Sequence, residues 1–209
     1  MIILLDQDNV LADFEAGFRQ AWIACHPEIP PVEEAERKSF QVREDYPSDL
    51  RPAVDAILQS RGFYRNLPLM RGAGQAVTDL LAEGFDVFIC TSPLVQYQNC
   101  VLEKYEWVEE YLGSEFTKRV ILTRDKTLVR GDVLIDDKPV IGGISTPQWR
   151  HVLFDQPYNR HLPGPRIHWE HWREVLAQQL LQNGGTFFCS TKPPPTTVPR
   201  SAHRSRELA

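Results

Sequence analysis

Cysteine is scarce in this chain, four in 209 residues, and Cys25, Cys90, Cys100 and Cys189 show no C-x-x-C spacing. Cys90 sits inside an apolar run, so these residues read as thiols rather than as a disulfide framework or a zinc site. Long apolar runs are missing too. No segment approaches the roughly 20 apolar residues needed to span a bilayer, and no positively charged leader precedes an apolar stretch, so a cytosolic location is expected and a membrane partner is not. Positive charge is also short: 23 Lys and Arg face 28 Asp and Glu, a formal net charge of -5. Such a chain offers no basic field for a nucleic acid backbone, so a polymeric nucleic acid partner is not expected. Internal repeats are absent. What remains is 42% hydrophobic, enough to bury a sizeable core in one domain with room for an insertion.

Apolar runs of strand length occur at Ile2 to Leu5, Phe85 to Cys90, Arg119 to Leu122, Val133 to Ile135 and His151 to Phe154. Segments with helical periodicity separate most of them: Gly72 to Glu83, Gln96 to Leu112 and His168 to Leu181, each stopped by glycine at or soon after its last periodic residue. This alternation predicts an α/β fold, a Rossmann-like parallel sheet with crossover helices. The first connection is too long for a simple crossover. It holds one helix near Asp13 to Cys25, a break at Pro27, Pro30 and Pro31, a charged stretch, and a second helix near Ser48 to Ser60. The expected organisation is a core of residues 1–14 plus 67–182, a small helical insert over 15–66 covering the strand ends, and a disordered tail over 183–209. The tail is rich in Pro, Ser, Thr and Arg with almost no apolar pattern.

Polar residues stand where four of the apolar runs stop: Asp6 and Asp8 after the first, Thr91 and Ser92 after the second, Arg124 and Lys126 after the third, Asp136 and Asp137 after the fourth. Each has an ordinary explanation as a turn or a helix cap. Their convergence is informative, because open parallel sheets bind ligands at the carboxyl ends of their strands. Several carboxylates gathered at one edge repel one another unless a cation sits among them, and ligands that are all oxygen suit a hard ion such as Mg²⁺. A hydroxyl and a lysine beside that ion would receive a phosphoryl group.

The stretches DQDNV, CTSP, TRDKT and LIDD resemble the haloacid dehalogenase superfamily of phosphotransferases. Within it, DNVLADFEAGF, DVFICTSPL, EKYEWVEEYLG, VILTRDKT, LIDDKP and HVLFDQPYN are similar to the 5′(3′)-deoxyribonucleotidases. The resemblance runs from Ile2 to the end of the last helix. It implies a Mg²⁺-dependent phosphomonoesterase acting on deoxyribonucleoside monophosphates. Asp6 would be the nucleophile that becomes a phospho-aspartate, and Asp8 the acid and base. Mg²⁺ would be held by Asp6, by the backbone carbonyl of Asp8 and by Asp137, with Asp136 assisting from behind. Thr91, the backbone beside Ser92, and Lys126 would bind the phosphoryl oxygens. Phe14, Phe40 and Val42 would wall an apolar pocket for base and deoxyribose, with Lys104 and Arg124 near the substrate, and a homodimer is possible as in other members.

The chain departs from the family pattern in places. Gln41 stands where a Trp is usual, Val95-Gln96 where a Lys follows TSPL, and Asn9 where a glycine follows the second Asp. An apolar pocket would strand a ribose 2′-hydroxyl without hydrogen-bond partners, a physical reason to prefer deoxy substrates. The same chemistry on another small phosphate ester, a phospho-accepting regulatory domain and a silent binding protein all stay open at this level. His168 and His171 in HWEHW, with Trp169 and Trp172 beside them, read as a packed amphipathic face rather than a metal site.

Overall fold

The computed structural model describes residues 1–181. Six strands, β1 (Ile2–Leu5), β2 (Asp86–Thr91), β3 (Val120–Leu122), β4 (Val133–Asp136), β5 (Arg150–Phe154) and β6 (Arg166–Ile167), form one sheet in the order β3-β2-β1-β4-β5-β6. All neighbours run parallel. The chain moves outward from β1 through β2 to β3, then returns to β1's other side for β4 to β6. That reversal opens a crevice at the carboxyl end of β1, the general ligand site of such sheets.

The strands are apolar on both sides because both faces are covered. Ile3 and Leu5 of β1 join Val87, Ile89, Val133 and Ile135 in the larger core, while Leu4 points the other way, into a cluster with Cys90, Leu134 and Trp149. The five expected strands appear with ends shifted by one residue at most. The sixth, β6, was not expected: two residues carry no periodicity for a sequence reading to detect.

Five α-helices complete the frame: α1 (Phe14–Cys25), α2 (Arg51–Gln59), α3 (Ala73–Ala82), α4 (Tyr97–Leu112) and α5 (Trp172–Leu181). Asp13 caps α1 by accepting from the Ala16 amide at 2.9 Å. Gly72 precedes α3 at φ 84°, and a Cβ there would lie 3.0 Å from the Cβ of Trp169. The position therefore suits glycine in conformation and in space. Helix α5 begins at Trp172, not at His168. The indole of Trp169 donates to the Val10 carbonyl at 2.6 Å and packs on Phe154, with ring centroids 5.4 Å apart. These contacts hold the HWEH segment in a turn, so His168 and His171 do not share a helical face. The packing reading survives, since Trp169 and Trp172 are both buried.

Between β1 and α3 the chain forms α1, two short 3₁₀ turns at Glu34–Glu36 and Val42–Asp45, and α2. The charged stretch expected there holds one buried cation, Arg37, which pairs with Glu15 and with Asp45. Aromatic packing does the rest: Trp22 lies 4.4 Å from Tyr46 by ring centroids, and Phe18 contacts both. These side chains belong to the same buried cluster as Ile3 and Val87 of the sheet. On the other side, α4 ties down residues 62–67. Glu103 accepts from the amides of Gly62 and Tyr64, and Trp107 donates to the Leu67 carbonyl. Cys25, Cys90 and Cys100 are free thiols. Cys189 and the tail expected over 183–209 lie outside the described residues.

Candidate active site

Strand β1 ends at Leu5, and the chain turns sharply through Gln7 to Ala12: the amides of Leu11 and Ala12 both donate to the Gln7 carbonyl, at 2.9 and 2.8 Å. Asn9 carries the turn at φ 58°, the positive-φ residue other than glycine among those described. Asparagine tolerates that region, so the substitution for glycine costs little. The turn presents Asp6 and Asp8 to the cleft. Asp6 Oδ1 accepts from the Gln7 amide at 2.8 Å and pairs with Lys126 Nζ at 2.9 Å. Its Oδ2 has no protein donor among the described residues.

Lys126 opens a 3₁₀ turn after β3 that Asp125 caps by accepting from the Thr127 amide. Its ammonium, nearly buried, bridges Asp6 and Asp136, the latter at 2.5 Å. Both Asp136 oxygens are engaged, since Oδ1 accepts from the Lys138 amide at 2.9 Å. Asp137 differs. Its Oδ2 accepts from the Tyr158 hydroxyl, while its Oδ1 is buried without a partner. Oxygens of Asp6, Asp136 and Asp137 lie within 4.8 Å of one another.

Three buried carboxylates with one ammonium among them leave negative charge uncompensated, a costly arrangement without a cation. Burial pushes the Asp136 and Asp137 carboxyls above the ordinary carboxylate range, and the charge of Asp6 adds to it. Burial alone would pull Lys126 down, but Asp6 and Asp136 on either side push it up. The shifts of Lys126 and Asp136 favour opposite states of their ion pair. The lysine shared by two acids is the member that holds its charge, and the excess acid raises Asp136.

Asp8 is held from the opposite side. Its Oδ2 accepts from Lys104 Nζ at 2.8 Å, and the same ammonium reaches Thr91 Oγ1 at 3.1 Å. Asp8 Oδ1 has no partner. Desolvation pushes the Asp8 carboxyl up, with Lys104 pulling against it. Lys104 was expected among the substrate contacts. It is not part of the cleft lining: 1% exposed on α4, its ammonium lies 5.1 Å over the Tyr64 ring and pairs with Asp8.

The cleft above these groups measures about 430 Å³. Thr91, Ser92 and Arg124 line it near the strand ends, as expected, and Phe14, Phe40, Gln41 and Val42 line the facing wall. Asp136 lies behind the lining. Several contributors escaped the sequence reading. Tyr158 and Asn159 come from a 3₁₀ turn after β5, where Asn159 Nδ2 donates to the Asp137 carbonyl at 2.8 Å. The signal was available in QPYN, which stands at the end of a fifth strand. Leu58, Tyr64, Arg43 and Asp55 also line the cleft, from α2 and its flanks.

A parallel sheet carrying two aspartates one residue apart after its first strand, with a lysine and an acidic pair on neighbouring strand ends, defines the hydrolase class of the haloacid dehalogenase fold. A haloacid dehalogenase family hydrolase from Deinococcus radiodurans, solved with bound phosphate and sodium, superposes with a TM-score of 0.52 at 15% identity, covering 86% of this chain and 96% of that one. The chain belongs to the family described as 5′ nucleotidase, deoxy (pyrimidine), cytosolic type C, which it matches over residues 1–182. It is thereby an enzyme of the phosphatase class. It is 56% identical over 184 residues to a Bordetella pertussis protein named as a candidate 5′(3′)-deoxyribonucleotidase, covering 88% of this chain and 99% of that protein. It is 45% identical over 185 residues to the human 5′(3′)-deoxyribonucleotidase of cytosolic type, covering 83% and 92%.

Proposed function

We propose that this chain is a Mg²⁺-dependent phosphomonoesterase that dephosphorylates deoxyribonucleoside monophosphates through a phospho-aspartate on Asp6. The observation that carries the reading is the pairing of Asp6 and Asp8 on one rigid strand end, Asp6 with its Oδ1 held by Lys126 and Asp8 with a buried Oδ1 free of protein donors, both lining a cleft of about 430 Å³. Asp6 Oδ2 attacks phosphorus as the ester P–O bond breaks, and Asp8 delivers its proton to the leaving ribose oxygen. Water then attacks phosphorus of the phospho-aspartate, gives its proton to Asp8, and inorganic phosphate leaves with the Asp6 carboxylate regenerated. Desolvation of Asp8 suits it to hold a proton before the first step. Thr91, Ser92 and Lys126 bind the phosphoryl oxygens, where charge neutralisation contributes most.

The residues fit a hard cation. The donors are all oxygen, the local charge is negative, and Asp137 Oδ1 is a buried acceptor lacking a donor. Asp6, the Asp8 carbonyl and Asp137 would hold it, while Asp136, with both oxygens occupied, supports Lys126. Bound there, Mg²⁺ would neutralise phosphoryl charge. Residues 15–66 act as a lid whose inner side, with Phe14 at its root, faces the base and sugar. We infer a cytosolic location, consistent with the cytosolic-type human relative; a human relative named as mitochondrial, 42% identical, is also matched. No helix among the described residues is long and apolar enough to cross a membrane.

The test is phosphate release from a panel of ribo and deoxy nucleoside monophosphates, sugar phosphates and acetyl phosphate, with and without Mg²⁺. Deoxy monophosphates should be the best substrates and chelator should stop the reaction. Faster turnover of sugar phosphates would overturn the nucleotide assignment, and full activity in excess chelator the metal.

A further inference from the structure

The unexplained polar groups of the described fold form a line. Tyr158 is 2% exposed and its hydroxyl donates to Asp137 Oδ2. A hydroxyl has one proton, and here its direction is dictated from the other side. Asn9 Nδ2 donates to the same hydroxyl at 2.9 Å, which occupies a lone pair and leaves the proton for Asp137. The amide cannot turn over, because Asn9 Nδ2 also donates to Glu15 Oε1 at 3.2 Å and Oδ1 accepts from the Glu15 amide at 3.3 Å. A flipped amide would set oxygen against carboxylate and N–H against N–H.

Glu15 in turn pairs with Arg37, whose Nε reaches Asp45 at 2.6 Å and whose Nη2 donates to the Ser39 carbonyl at 3.0 Å. Arg37 thus closes the loop of residues 37–45, which carries Phe40, Gln41 and Val42 on the cleft wall. The loop also touches Tyr158 directly, since the Arg37 guanidinium lies 5.4 Å over its ring and Phe40 meets it edge-on at 6.1 Å. Arg37, Glu15, Asn9, Tyr158 and Asp137 are all buried, so competition from water along this line is weak.

We propose that Tyr158 is a positioning residue, oriented through Arg37, Glu15 and Asn9, that turns Asp137 so that its unpaired Oδ1 is offered to the cation, coupling the substrate wall to the metal carboxylate. The inference rests on the cation reading above. Removing the hydroxyl frees the Asp137 side chain to rotate, and the cation then has to order it. Groups that orient metal ligands in this way typically contribute roughly 10- to 100-fold in metal affinity. The chain also gives Asn9 a task that a glycine at this position could not perform.

The experiment is Mg²⁺ titration by calorimetry of the full chain without substrate, for wild type, Tyr158→Phe and Asn9→Gly, with thermal midpoints in chelator measured alongside. Tyr158→Phe keeps the ring under Arg37 and Phe40, and Asn9→Gly suits the φ of 58°, so at least one variant folds. Tyr158→Phe should weaken Mg²⁺ binding roughly tenfold or more, and Asn9→Gly about threefold or more, beyond whatever loss in metal-free midpoint the missing buried hydrogen bonds cause. A merely structural hydroxyl would lower the midpoint and leave Mg²⁺ affinity alone. Affinity within twofold of wild type in either folded variant overturns the proposal. Wild type that binds no Mg²⁺ overturns the cation reading itself, a different outcome from a wild type that binds and variants that bind equally.

Discussion

Asp6, Asp136 and Asp137 stand at the ends of strands buried on both faces, whereas Phe40 and Gln41 stand on an exposed approach to a single 3₁₀ turn. The floor of the cleft is held by paired strands and by ion pairs shielded from water. The wall is held by one buried arginine and by aromatic edges. A floor residue cannot move without disturbing the sheet, so its substitution acts on chemistry at fixed geometry. Phe40 and Gln41 are exposed and can change without disturbing the core, so their substitution should act on binding.

The contrast can be broken most severely at Asp6, the proposed nucleophile. Asp6→Asn should reduce turnover by a factor on the order of 10⁶, as loss of a covalent nucleophile does elsewhere, with an unchanged circular dichroism spectrum. More than a few per cent of wild-type turnover in the folded variant would remove Asp6 from that role. Asp8→Asn comes next, with a loss of roughly 10²–10⁴ in both half-reactions, the range for a positioned acid and base. A rate within threefold of wild type would assign proton transfer to another group.

The floor also predicts a change of opposite sign. Asp137→Asn removes one of three crowded carboxylates and should raise the thermal midpoint in chelator, by about 2–4 °C for about 1 kcal/mol of relieved repulsion. With Mg²⁺ added the order should reverse, because wild type gains a bound ion that the variant holds poorly. A variant less stable than wild type in chelator would mean that the repulsion is already relieved.

The smallest effect belongs to the wall. Gln41→Trp restores an aromatic face, and base stacking of about 1–3 kcal/mol corresponds to a KM lower by roughly fivefold or more for a deoxynucleoside monophosphate. In the proposed role the wall contributes equally to substrate and transition-state binding, so kcat should stay within twofold. A changed kcat at constant KM would show that wall and floor are not separable at this residue.

How much could be read beforehand follows the same line. The strands and their polar ends were legible because burial on both faces writes a local pattern, an apolar run and then Asp, Thr or Lys. Tyr158 was not, though QPYN stood in view: its meaning depends on Asp137, 21 residues away in sequence. Nothing local shows that Lys104 pairs with Asp8, 96 residues away. Helix α5 was started early because HWEHW has helical spacing, and nothing local shows that Trp169 is anchored on Val10, 159 residues away.

By itself, the sequence determined the parallel sheet, the helices between its strands and the gathering of Asp6, Asp8, Thr91, Lys126, Asp136 and Asp137 at one edge. Strand and helix periodicity are short-range properties, and a parallel sheet places all its carboxyl ends together. Tertiary structure alone decided which carboxylate oxygen is left without a donor, which lysine serves which aspartate, and the chain from Arg37 to Tyr158. Those outcomes depend on hydrogen-bond directions across contacts far apart in sequence, and such directions exist only once the core has packed.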